Sequence, residues 1–293
     1  MESIVVTGGT GFIGSFIVER FKKLPYNLYV ITRQNLTNTE NITYLRGDIS
    51  DYDFVAQLMK KIQPEILFHL AWEVQAQDYV SSPLNKKYHA YSVNLLDEFL
   101  KNGGKEVMAS GTCFEYDLTG DKVLTANSKC CPVTEYGKAK LSTYQEFSKK
   151  CAEARARLVW ARFFYLIGGG EIDRKFTTYV LKCIMSDTVV SCKTPENVVD
   201  YIDVRDVAAL WQKAFLDKTV RGIINIGSAK GYKISDIIAL IESIVGKKAK
   251  TDYGRDYAVN KIVSDDSLLR KLNYSCYYSL RDSIEDVYKN LKG

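Results

Sequence analysis

The segment Thr7-Gly8-Gly9-Thr10-Gly11-Phe12-Ile13-Gly14 stands directly behind the apolar run Ile4-Val5-Val6 and opens onto a helical pattern. A strand, a glycine turn and a helix in that order make a cradle for a pyrophosphate. Gly8 allows the tight turn, Gly11 lets the backbone approach the phosphates, and Gly14 lets the helix pack close to the strand. The free N–H groups and the positive end of the helix dipole then face the anion. Glycines so spaced also occur in ordinary strand-to-helix turns. Their position right behind the first strand is what favours the phosphate-binding reading.

Strand-like and helical runs alternate through the first half. Ile4 to Val6, Leu28 to Ile31, Ile42 to Leu45, Ile66 to Leu70, Glu106 to Ala109 and Leu158 to Phe163 read as buried strands. Phe12 to Lys23, Asp51 to Lys61, Leu84 to Lys101 and Thr134 to Ala154 read as the helices between them. This rhythm predicts an α/β fold, a doubly wound parallel sheet of the Rossmann type with helices on both faces. Ligands then bind beyond the carboxyl ends of the strands, where the strand order switches. After Gly168-Gly169-Gly170 the rhythm breaks, and helices dominate. The expectation is a nucleotide-binding domain over 1–166 plus about 198–226, and a smaller, mostly helical C-terminal substrate lobe over 167–197 and 227–293.

Hydrophobic content of 46% with 26% charged residues is that of an ordinary globular protein with a large core. The net charge is +5, but acids lie among the bases, and Lys247-Lys248-Ala249-Lys250 reads as a solvated loop rather than a nucleic-acid patch. Seven cysteines show no CxxC spacing and there are only two histidines, so no metal site is expected and the thiols read as reduced. No apolar stretch reaches the roughly 20 residues of a membrane span, and the N-terminus enters a strand, so a cytoplasmic location without membrane association is expected.

Tyr136 and Lys140 stand one helical turn apart on one face. A cation beside a phenol that ordinarily titrates near ~10 would make it a usable acid or base at neutral pH. The same spacing also fits an amphipathic helix in a chain with 20 tyrosines. Thr112 changes the weighing: it follows the strand ending at Ala109-Ser110, so its hydroxyl falls at a strand's carboxyl end, able to bond a carbonyl or alkoxide oxygen. Asn94, amid Val93, Leu95 and Leu96, either satisfies its own helix or holds a water or backbone group of a proton relay.

With these residues in hand, the chain resembles the extended short-chain dehydrogenase/reductase family, in its nucleotide-sugar epimerase, dehydratase and reductase branch, over nearly its whole length. The glycine segment is similar to that branch's TGxxGxxG, which implies cofactor contacts from Gly8, Thr10, Gly11, Phe12 and Ile13. Gly47-Asp48-Ile49 resembles its adenine-contacting element, so Asp48 and Ile49 are implied as well. Phe68-His69-Leu70-Ala71 resembles the strand leading to the nicotinamide ribose, implying Leu70 and Ala71, with Phe163 a further implied contact. Thr112, Tyr136 and Lys140 match the family's catalytic Ser/Thr, Tyr and Lys, and Asn94 matches the asparagine of the preceding helix. The resemblance implies that Tyr136 exchanges a proton with a sugar oxygen while hydride moves between the nicotinamide and the sugar carbon. Lys140 would hold the nicotinamide ribose and tune Tyr136. It also implies a homodimer joined through Leu84 to Lys101 and Thr134 to Ala154.

Departures from the family pattern narrow the reaction. Thr32-Arg33 ends the second strand where an NAD enzyme offers an acid, and an arginine there either invites the 2′-phosphate of NADP(H) or sits in solvent. The 4,6-dehydratases carry an Asp-Glu pair where Cys113 and Phe114 stand, so elimination lacks its general acid. Cys113 is also one place off the cysteine of the epimerase–reductases that make GDP-fucose, and neither His69 nor His89 lies in the C-terminal lobe. What remains by resemblance is NADPH-dependent reduction of the C4 ketone of a nucleotide-linked 4-keto-(6-deoxy)sugar, with a nucleotide-sugar 4-epimerase as the alternative. Thr112, Cys113, Tyr136, Tyr165 and Arg255 are the implied substrate contacts, while Val199 replaces the family's diphosphate arginine. Replacing Arg33 by aspartate (Arg33→Asp) should shift the ratio of kcat/KM for NADPH over NADH toward NADH. An unaltered ratio places Arg33 in solvent.

Overall fold

The computed structural model describes residues 1–74, 78–254 and 259–292. In chain order the first part runs β1 (Glu2–Thr7), α1 (Phe12–Phe21), β2 (Tyr26–Thr32), β3 (Ile42–Arg46), α2 (Tyr52–Ile62), β4 (Ile66–His69), α3 (Leu84–Lys101) and β5 (Glu106–Thr112). Then follow β6 (Asp121–Leu124), α4 (Glu135–Glu153), β7 (Arg157–Phe163), β8 (Tyr165–Ile167), α5 (Phe176–Met185), β9 (Val189–Cys192), β10 (Val198–Val199) and β11 (Tyr201–Asp203). The last part is α6 (Val204–Leu216), β12 (Gly222–Ile226), β13 (Tyr232–Lys233), α7 (Ile234–Val245), β14 (Lys250–Tyr253), β15 (Lys261–Ser264), α8 (Ser267–Lys271) and α9 (Leu280–Lys292).

The first compact unit comprises residues 1–117, 129–162 and 211–224. Its centre is a seven-stranded sheet in the order β12-β7-β5-β4-β1-β2-β3, with every pair from β3 to β5 parallel. The order reverses between β1 and β4, which opens a crevice at their carboxyl ends, the place where this architecture binds ligands. Apolar residues point both ways because both faces are covered. Leu67 and Val107 face Val55, Met59, Leu95, Phe99 and Phe147 in one core. On the opposite face Phe68 meets the rings of Phe21, Trp211 and Phe215 edge-on at 4.8, 5.7 and 5.3 Å.

Helix ends are set by local chemistry. Asp51 caps α2 by accepting the Phe54 N–H at 2.9 Å, Lys60 and Lys61 lie in its last turn, and Gln63 ends it in the left-handed conformation. Thr134 caps α4 by accepting the Gly137 N–H at 3.0 Å, which fixes Tyr136 in the first turn of that helix.

The second unit comprises residues 118–128, 163–210 and 225–293. It therefore includes residues 118–128 and 198–210, which the sequence reading assigned to the nucleotide-binding domain. Nor is it mostly helical: it holds a four-stranded sheet, β13-β10-β15-β6, and the pairs β11-β8 and β14-β9. Ile167, Leu181, Ile184, Ile237, Ile241 and Ile284 pack its core. Several of its strands, β6, β9, β13, β14 and β15 among them, escaped notice because they are two to four residues long and several carry charge, leaving no alternation to read. The sequence also predicts a strand from Val198 to Ile202; β10 and β11 form there, separated at Asp200. That buried carboxylate accepts the N–H groups of Ser228, Ala229 and Ser264 at 2.8, 3.1 and 3.1 Å, so the chain bends around it.

The tightest spot in the first unit is the turn from β1 into α1. A Cβ on Gly14 would lie 2.0 Å from the Gly8 carbonyl oxygen, so any side chain there pushes helix from strand. Gly14→Ala is expected to destabilise the protein by about 1–3 kcal/mol, the usual cost of overpacking. Urea unfolding measures it, and an unchanged midpoint would mean that the turn relaxes freely.

Candidate active site

Gly8 has φ +71°, and a Cβ there would meet the Ala71 nitrogen at 2.6 Å and the Leu70 carbonyl carbon at 2.7 Å. The turn is therefore pressed against the residues that follow β4, placing Leu70 and Ala71 beside Gly8. The Thr7 hydroxyl holds that junction, accepting the Ala71 N–H at 3.3 Å and bonding His69 Nδ1 at 2.8 Å. At the N-terminus of α1, Gly11 offers no side-chain cap and the first turn holds no acid, so its N–H groups are left for an anion. A Cβ on Gly11 would meet only the Gly8 oxygen, at 3.2 Å, so the space in front of the helix is open. Thr10 reaches Thr32 at the end of β2, hydroxyl to hydroxyl at 3.4 Å, with Phe12 and Ile13 half-buried behind it. The residues present fit a dinucleotide's pyrophosphate: a backbone cradle, a bare helix end and no competing carboxylate in its first turn.

Beyond the carboxyl end of β5 the three chemical groups lie in one neighbourhood. The Thr112 side chain stands beside the Tyr136 phenol, near enough to ease its ionisation. Tyr136 is half-buried, its backbone N–H donated to the Val80 carbonyl at 3.0 Å. Burial raises the phenol's pKa above the ordinary tyrosine value, neighbouring Tyr79 adds to the rise, and the nearby Thr112 side chain opposes it. Lys140 is fully buried and donates to the Ser110 carbonyl at 2.7 Å and to the Ser110 hydroxyl at 3.2 Å. Its ammonium also lies 3.9 Å from the centre of the Trp72 ring, and that ring stands 6.2 Å from the Tyr136 ring. Trp72 directly follows Ala71, so one short segment touches the glycine turn, the phenol and the ammonium. Burial draws Lys140 down to about 7, while Glu115 pulls the other way.

The other expected residues divide. Asn94 sits in α3 with its buried Nδ2 meeting no partner among the described residues, so its donor is left for a ligand or water. Cys113 is buried at the start of a short turn. Arg33 is exposed just past β2, and Asp48 accepts the Ser50 N–H at 2.9 Å beside buried Ile49. Phe163 and Tyr165 belong to the second unit, where Tyr165 places its ring 5.7 Å from that of Tyr201. Arg255 lies outside the described residues. His69 bridges Thr7 and Ser92, the latter at 2.8 Å through Nε2, and burial lowers it to about 3, so it stays neutral as a brace.

Sequence reading missed Ser110 and Trp72, which hold the lysine, and it missed a buried ion pair. Arg162 Nε donates to Glu115 Oε2 at 2.7 Å, with both side chains fully buried. A signal for it existed: Thr112 and Glu115 have capping-box spacing, and Arg162 interrupts the apolar strand that continues into Phe163.

Residues 4–227 match the NAD dependent epimerase/dehydratase family. The chain is 26% identical to UDP-arabinose 4-epimerase 1 of Arabidopsis thaliana, over 98% of this chain and 78% of that one. It is likewise 26% identical to dTDP-6-deoxy-L-talose 4-dehydrogenase (NAD(+)) of Aggregatibacter actinomycetemcomitans, over 78% and 85% of the two chains. The solved structure of UDP-glucose 4-epimerase from Thermus thermophilus, in complex with NAD, superposes with a TM-score of 0.82 at 19% identity over 99% of each chain. That likeness shows a shared fold. Among the described residues no helix is long and apolar enough to cross a membrane.

The depressed Lys140 makes a pH signature. A lysine in the unfolded chain titrates near ~10.4, so above about pH 7 the unfolded chain binds a proton that the folded one lacks. Stability of the cofactor-free protein should therefore rise from pH 7 toward pH 10 relative to Lys140→Met, by up to about 1.4 kcal/mol per pH unit. Urea unfolding of both proteins across that range tests it, and parallel pH profiles would exclude a buried, titrating Lys140.

Proposed function

Because the chain belongs to the NAD dependent epimerase/dehydratase family, we propose that it interconverts the C4 epimers of a nucleotide-linked sugar, using a nicotinamide dinucleotide as redox partner. The observation that carries this reading is the gathering of Thr112, Tyr136 and Lys140 in one neighbourhood, joined to the glycine turn through Ala71 and Trp72. When bound, the dinucleotide supplies a hydride acceptor and, in its reduced form, a hydride donor. The turn from Gly8 to Gly14 would hold its pyrophosphate, and Lys140 its ribose hydroxyls.

The chain's own residues then handle the proton. Tyr136 takes the proton of the C4 hydroxyl as that carbon is oxidised, and returns it when the ketone is reduced from the opposite face. Thr112 orients the C4 oxygen and steadies the phenol. Lys140 favours the ionised phenol from one helical turn away, its own charge being sensitive near neutrality. Asn94 offers a spare N–H in α3 for a water that exchanges the proton with solvent. Elimination of water stays disfavoured: Cys113 is a buried thiol, Phe114 packs its ring 6.3 Å from Tyr136, and Glu115 is occupied by three donors.

Similarity over 98% of this chain to a UDP-arabinose 4-epimerase supports epimerisation over the net reduction favoured from the sequence. Reduction of a 4-keto sugar with NADPH remains the second reading, because exposed Arg33 stands at the end of β2, where a 2′-phosphate would be met. Similarity to a dehydrogenase acting on a nucleotide 6-deoxysugar accords with it. Incubation of NAD-loaded protein with UDP-glucose and UDP-arabinose, and of cofactor-free protein with NADPH and a dTDP-4-keto-6-deoxyhexose, distinguishes the two. The expected result is a C4 epimer seen by NMR with no net cofactor consumed. Stoichiometric NADPH oxidation on the keto sugar would replace it by the second reading, and no turnover with any of them overturns both. Tyr136→Phe should lower kcat about 10²–10⁴-fold with cofactor affinity kept.

A further inference from the structure

We propose that Glu115 is a positioning residue, a buried carboxylate that holds Thr112 in the one geometry that aims its hydroxyl at the Tyr136 phenol. The proposal rests on the roles given above to Thr112 and Tyr136. Glu115 and Arg162 are both fully buried. Both carboxylate oxygens are used: Trp160 Nε1 donates to Oε1 at 3.0 Å and to Oε2 at 3.2 Å, Arg162 Nε donates to Oε2 at 2.7 Å, and the Thr112 N–H donates to Oε1 at 2.8 Å. Two of those donors come from β7, the neighbour of β5 in the sheet. The third is the backbone of the residue that carries the hydroxyl. Glu115 therefore pins the last residue of β5 to β7.

Gly111 is shaped by the same clamp. A Cβ there would fall 2.3 Å from Trp160 Nε1 and 2.7 Å from Glu115 Oε1, so indole and carboxylate fill the space a side chain would need. With its N–H fixed, Thr112 is held extended at φ −149° and ψ 149°, and its hydroxyl accepts the Phe114 N–H at 3.3 Å beside the phenol. A three-residue turn does not need a buried ion pair for stability, since apolar residues of similar volume serve as well or better. Orientation is what such a pair adds. Arg162 is itself seated over the Tyr116 ring at 4.2 Å and donates to Cys130 Sγ at 3.2 Å, so the anchor does not swing. The Glu115 charge also reaches the chemistry, acting to keep the phenol protonated and the Lys140 ammonium charged.

A double-mutant cycle tests it. Glu115→Gln keeps the shape and removes the charge; kcat should fall about 10- to 100-fold with KM and cofactor affinity near wild type. In a Thr112→Ala background the same change should cost less than about twofold, because no hydroxyl remains to be aimed. Equal losses in both backgrounds overturn the proposal. Should the glutamine variant fail to fold, Trp160→Phe removes one donor while keeping the ion pair, and the same non-additivity is required of it. A readout without turnover is the ¹³Cζ resonance of Tyr136 in tyrosine-labelled protein, assigned by its loss in Tyr136→Phe. Glu115→Gln and Thr112→Ala should displace it alike, and an unmoved resonance overturns the proposal even where no nucleotide sugar is turned over. Conversely, inactivity of the wild type with a displaced resonance would sink the epimerase reading and leave the positioning role standing.

Discussion

Close backbone approach at the sheet's switch point is the constraint on which the site depends. Gly14 must lie against the Gly8 carbonyl for α1 to pack on β1, and Gly8 must lie against Leu70 and Ala71 for the turn to meet β4. No side chain fits at either contact. With both made, the bare end of α1 faces the crevice and Trp72 is carried, two residues beyond Leu70, onto Tyr136 and Lys140. A methyl group at either glycine would therefore act on the packing and, through Trp72, on groups it never touches.

Buried charge is used in two ways in the first unit. Lys140 is held as a single cation with one carbonyl, one hydroxyl and an aromatic face for partners, which leaves its protonation sensitive near neutrality. Arg162 and Glu115 neutralise each other and are further tied by an indole and a backbone N–H, which makes them rigid instead. The first arrangement serves a group that must respond to its surroundings. The second serves one that must not move.

Much of the first unit was legible because its signals are local. Runs such as Ile4-Val5-Val6 and Phe68-His69 are buried on both faces and read as strands, and Asp51 and Thr134 announce helix starts. Thr112, Tyr136 and Lys140 were found by their spacing and by their place after a strand. The short strands of the second unit were less legible, since β9, β13 and β14 are stabilised by partners far along the chain rather than by a pattern within themselves. Asp200 breaks an apolar run in sequence, but its pull on Ser228 and Ser264 exists only after folding.

By itself the sequence determined the order of strands and helices in the first unit, the glycine turn between β1 and α1, and which hydroxyl, phenol and ammonium share one end of the sheet. These follow from steric and periodic rules acting over a few residues. Only the tertiary structure decided what surrounds them: Ser110 and Trp72 around Lys140, and Glu115, Trp160 and Arg162 behind Thr112. The reason is physical. A buried charge is stabilised by donors gathered from separate strands, and no short stretch of chain carries the list of its own partners.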